Sequence, residues 1–103
     1  MMLIEVFRNA RDLLWDVPIG VRKASLAGDG CPRVKAHHAA AMTACYSADL
    51  IGIQEVRKHV GLAVEGLIEA LCAGEVKGRD FDAALRTYET VLTCMDEAEA
   101  AYR

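Results

Sequence analysis

The chain has 103 residues, of which 53% are hydrophobic and 6% aromatic, and a formal net charge of −3. That length suits one domain built on one core. The acidic balance, with a pI of 5.5, argues against nucleic acid as a partner, because phosphate backbones are met by basic patches. Membrane spanning is equally disfavoured: the longest run free of Asp, Glu, Lys and Arg, residues 36–48, carries two histidines and a serine, whereas a span needs about 20 apolar residues.

The N-terminus lacks the positive region of a signal peptide, and Arg8 and Asp12 interrupt the apolar stretch behind it. A cytoplasmic protein is therefore expected, with Cys31, Cys45, Cys72 and Cys94 as thiols. Their positions form neither paired zinc spacing nor a redox CxxC.

In chain order, the first predicted helix covers residues 2–16. Leu3, Val6, Phe7, Ala10, Leu13 and Leu14 follow the helical period and make one apolar stripe that continues to Val17. Asp16-Val17-Pro18 reads as a break, with Asp16 able to cap a short second helix over residues 17–27. Gly28-Asp29-Gly30 is a loop, and Pro32 can start the next helix.

From residue 32 to 73 nothing in the composition forces a stop. An unbroken helix of about 42 residues would be about 63 Å long, against a radius of gyration of about 13 Å for a compact domain of this size. A break near Ser47-Ala48-Asp49 is expected, with Ser47 or Asp49 as N-cap; the alternative is a rod that needs a second copy. Ala36, Ala40, Ala44, Ala48 and Gly52 stand four apart across this region and would form a ridge of small residues for close helix packing.

The segment 49–73 is written as a helix touched by several neighbours: Leu50, Ile53, Val56, Val60, Val64, Leu67, Ile68 and Leu71 make its stripe, and Gly74 ends it. Asp80 is the expected N-cap of a last helix running to about Tyr102 on Phe81, Ala84, Leu85, Tyr88, Val91, Leu92, Met95 and Ala98. The fold class is therefore all-α. Residues 1–103 should form one compact bundle of four to five helices with a long C-terminal antiparallel helical hairpin.

Four constellations bear on function. Ile4, Arg8, Arg11 and Trp15 lie at helical spacing away from the apolar stripe, and Trp and Arg are over-represented among binding hot spots. Arg11 can stack on Trp15; the competing account buries Trp15 as core filler.

His38, Met42 and Cys45 share one helix face and offer donors that suit Cu(I) or zinc. Such a site lacks a repeated ligand pair, and core-edge packing explains the same residues. A Cys45 nucleophile with His38 as base lacks an orienting acid and oxyanion donors.

Glu65 and Glu69, together with Glu55 and His59, read as a solvated face, since the Glu-x-x-His pattern of di-iron bundles is missing. Asp96, Glu97 and Glu99 sit at the unfavourable end of the last helix's dipole, where a partner or a basic neighbour would offset them.

The sequence points to a non-catalytic protein–protein interaction module: a small adaptor, inhibitor or regulatory subunit acting through exposed helix faces on a protein partner or on its own copy, without a cofactor. The alternative is a small Cys/His metal- or thiol-handling helical bundle. Far-UV circular dichroism should show a helix-dominated spectrum, and a strand content above about a fifth, the average for globular domains, would contradict the all-α reading.

Overall fold

The computed structural model describes residues 2–17 and 30–102. Four helices account for most of them: α1 (Leu3–Trp15), α2 (Gly30–Ala44), α3 (Leu50–Cys72) and α4 (Gly78–Tyr102), with no strand among the described residues. The all-α bundle is observed. The short helix expected over residues 17–27 lies outside the described residues, apart from Val17, which is buried.

On α1 the residues spaced for one face do enter the core: Val6, Phe7, Ala10 and Leu14 are buried. Asp16 ends this helix, its N–H reaching back to the carbonyls of Leu13 and Leu14. Two residues earlier than expected, α2 opens at Gly30, which leaves Pro32 in the first turn, where a missing N–H is not needed.

The break after α2 falls where compactness required it. Cys45, Tyr46 and Ser47 donate their N–H groups back to the carbonyls of the last turn, and residues 45–49 turn the chain. Asp49 then caps α3, its Oδ1 accepting the N–H of Gly52 at 2.7 Å.

This break divides the stripe of small residues. Ala36, Ala40 and Ala44 stay on α2, Ala48 stands in the connection, and Gly52 lies in the first turn of α3. Ala36 and Ala48 are exposed, Ala40 and Ala44 half-buried, and Gly52 buried. The face of α2 that enters the core is Val34, His38, Ala41 and Cys45, and Ala44 of the small stripe packs half-buried against the same core.

Gly52 has its own reason to be glycine. A β-carbon there would run into the carbonyl of Ser47 and stand 3.1 Å from the Phe7 ring. The connection, α1 and the start of α3 meet at this point.

On α3, Ile53, Val56, Val60, Ala63, Leu67 and Ala70 are buried at alternating steps of three and four. The helix closes in a Schellman motif: Gly74 takes φ +74°, its N–H reaches Leu71, and the N–H of Glu75 reaches Ala70 at 2.8 Å. Val76 packs back on Ala70. After this turn Lys77 accepts the N–H of Phe81, so α4 begins at Gly78 and Asp80 sits inside its first turn rather than capping it. Ala84, Tyr88, Val91, Met95 and Ala98 form its buried stripe.

α3 packs against both α2 and α4, and α1 lies chiefly on α4. The radius of gyration is 13.2 Å, as a compact fold of this length requires.

Two glycines of α3 should respond oppositely to a methyl group. Gly52→Ala is expected to cost about 1–3 kcal/mol, because the Ser47 carbonyl and the Phe7 ring must move. Gly61, with nothing within 4 Å of its β position, should gain about 0.5–1 kcal/mol as Gly61→Ala. Urea denaturation of both variants checks the pair.

Candidate interaction face

The residues singled out on α1 are presented to solvent. Ile4 and Arg8 are exposed, Arg11 is half-buried, and Trp15 keeps 60% of its surface accessible. Core filling by Trp15 does not fit this exposure.

Arg11 does stack on an aromatic ring, but on a different one from that expected. Its guanidinium lies 4.6 Å from the centroid of Tyr46, in the connection between α2 and α3. Phe7 brings the two segments together by closing on Gly52, and Arg11 is one turn further along α1. Tyr46 is 72% exposed and Ile51 68%, with Leu50 also exposed.

The face therefore joins one side of α1 to the α2–α3 connection, and Tyr46, Leu50 and Ile51 belong to it although sequence reasoning missed them. A Tyr directly before a helix break, followed by adjacent Leu and Ile at a helix start, was the available signal: one buried stripe cannot take both.

His38, Met42 and Cys45 belong to the core. His38 is 6% exposed, and its Nδ1 is hydrogen-bonded to the hydroxyl of Tyr88 at 2.8 Å. The two rings meet edge to face at 5.9 Å. Burial pushes the Cys45 thiol up to about 11, with nearby Arg11 pulling the other way, so it stays protonated at neutral pH and is a poor nucleophile or ligand. Met42 packs half-buried against the same cluster. Among the described residues, no group of three or more His, Cys, Asp and Glu side chains is placed to hold a metal ion.

Glu65 and Glu69 lie on a solvated face, as expected, and from there they also reach across to a neighbouring helix. Glu69 and Glu65 receive the Arg33 guanidinium of α2 at 2.9 and 3.3 Å. Arg57 of α3 is the basic neighbour at the acidic end of α4: it pairs with Asp96 at 3.0 Å and with the largely buried Glu99. The more exposed of these pairs contribute at most about 1 kcal/mol each.

Beside them, Val6, Asn9, Cys94, Glu97, Ala98 and Tyr102 line an open cleft of about 260 Å³ between α1 and α4. There burial, then the charge of Glu97, raises the Cys94 thiol above its ordinary value. One further contact joins α2 to α3: the Nδ1 atoms of His37 and His59 stand 3.1 Å apart.

Comparison with protein-family models, curated proteins and solved structures found no match to the chain.

Tyr88→Phe removes a hydrogen-bond partner from buried His38 while keeping the ring that fills the core. It should cost about 1–3 kcal/mol, read as a lower urea midpoint with unchanged helix content.

Proposed function

We propose that the protein is a non-catalytic interaction module, a small adaptor, inhibitor or regulatory subunit that binds a larger protein, or a second copy of itself, through the face built on Ile4, Arg8, Arg11 and Trp15. The observation that carries this reading is the Arg11–Tyr46 stack between two exposed segments. It extends the α1 row into a surface that also includes Leu50 and Ile51.

Trp, Tyr and Arg dominate binding hot spots because they bring large contact area together with a polar group. Aromatic side chains also have few rotamers to lose on docking. Apolar side chains exposed together, rather than singly, are what a partner would cover.

The reading takes the whole chain as one rigid domain, with α3 and α4 as an antiparallel hairpin behind the face. Their five-residue connection at residues 73–77, and the pairing of Arg57 with Asp96 and Glu99 far from that connection, support this arrangement. Free cysteines at 45, 72 and 94 fit a reducing, cytoplasmic setting, and no helix of the described residues is long and apolar enough to cross a membrane.

Trp15→Ala and Tyr46→Ala should each change stability by no more than about 0.5 kcal/mol, as surface substitutions do. Loss of an interface centre should weaken partner capture or self-association by about 2 kcal/mol or more. Thermal melts, quantitative affinity capture and sedimentation equilibrium on the same variants separate the two effects. A stability loss of about 3–5 kcal/mol in Trp15→Ala would make it a core residue, and unchanged capture and self-association would remove the face as the binding surface.

A further inference from the structure

The contact between His37 on α2 and His59 on α3 plays no part in the interaction face. Their Nδ1 atoms are 3.1 Å apart, and their rings lie 5.3 Å apart between centroids and 26° from parallel. The nitrogen separation is that of a hydrogen bond. An imidazole nitrogen accepts such a bond only while it carries no proton. One ring therefore donates Nδ1–H and the other accepts with a bare Nδ1.

Glu55 biases the roles. Its Oε2 is 3.4 Å from Nε2 of His59, and a nearby carboxylate favours the neutral tautomer with its proton on Nε2, which leaves Nδ1 bare. His37 is then the donor. One additional proton, on Nε2 of His37, leaves the bond in place but sets a positive ring beside Arg33 and Lys58, so it already weakens the contact. The bond does not tolerate a second, which places N–H groups on both facing nitrogens and sets two positive rings against each other.

We propose that the His37–His59 contact is an acid-sensitive latch between α2 and α3, closed while one facing Nδ1 is unprotonated and opened when both carry hydrogen. The charges acting on His37 come, among the described residues, from α2 and α3 alone: Arg33 on its own helix, and His59, Lys58 and Glu65 across the contact. From α4, Tyr88 is bonded to His38, the next residue along.

Burial first, then His59, Arg33 and Lys58, hold the His37 pKa below its ordinary value of 6.5, against the pull of Glu65. A base held below its free value takes its proton more readily in the open chain. The stability that His37 supports is therefore complete above about pH 6.5 and is lost as the pH falls below it. The Arg33 pairs with Glu65 and Glu69 also join α2 to α3. The opening is local to α2.

Hydrogen exchange of the full chain at pH 7.5 and 5.5, corrected for the intrinsic rate of each amide, reads the latch. Protection over residues 33–44 should fall several-fold, up to about tenfold for each unit by which the His37 pKa is displaced, while residues 84–98 of α4 change little. His37→Gln and His59→Gln should both abolish that difference, which also separates the pair from buried His38.

Should either variant fail to fold, imidazole nitrogen NMR of the unaltered protein tests the same contact directly: the two rings should titrate as a coupled pair in two steps. Equal protection at both pH values, a loss spread evenly over α4, a pH response surviving in both variants, or two rings that do not sense each other would each overturn the proposal.

Discussion

The carbonyl oxygen of Ser47 occupies the space that a β-carbon of residue 52 would need, and the Phe7 ring closes on the same point. Three segments depend on that approach. The connection after α2 folds back on the first turn of α3, where Asp49 can cap the Gly52 N–H. α1 is brought alongside, which sets Arg11 over Tyr46. A methyl group in the place of one hydrogen would push these apart, and with them the surface proposed to bind a partner.

Behind that junction the core is thin and largely aliphatic. Among the described residues, only Phe7 and Tyr88 contribute large aromatic side chains to its fully buried layer. Interiors are packed as closely as organic crystals, so a core of Val, Ala and Leu stripes leaves little room for polar groups. His38 and Tyr88 enter it together and partner each other. Paired in this way they avoid the cost of an unmet buried donor or acceptor, and they link α2 to α4 through the core. The residues that looked most like chemistry on one helix face are thus used for architecture, and Trp15 and Tyr46 are left at the surface.

Polar ties between helices follow the same division. Arg33 with Glu65 and Glu69, and Arg57 with Asp96 and Glu99, clamp α3 to its two neighbours from outside the core. The His37–His59 contact joins the same two helices as the Arg33 pairs, and the proposed response to protons belongs to that helix pair.

Helix class, the apolar stripes of α1, α3 and α4 (except Leu50 and Ile68 of α3, which are exposed), the break near residues 45–49 and the stop at Gly74 were legible in the sequence. Each rests on a local cause: hydrophobic spacing at 3.6 residues per turn, a side chain able to cap an N–H, or a residue able to take positive φ. The exposed side of α1 was legible for the same reason, since Ile4, Arg8, Arg11 and Trp15 point away from the stripe. Which ring Arg11 would stack on was not, because Tyr46 is 35 residues distant in sequence and reaches it only through the Gly52 junction. Nor was the face of α2: Ala40 and His38 are both compatible with a helical stripe, and only the shape left by α3 and α4 selected Val34, His38, Ala41 and Cys45. His37 and His59 met for an equally non-local reason. Short-range periodicity determines which residues share a helix face; the packing of helices, set by the volume of side chains far apart in the chain, decides which face is buried and which pairs touch.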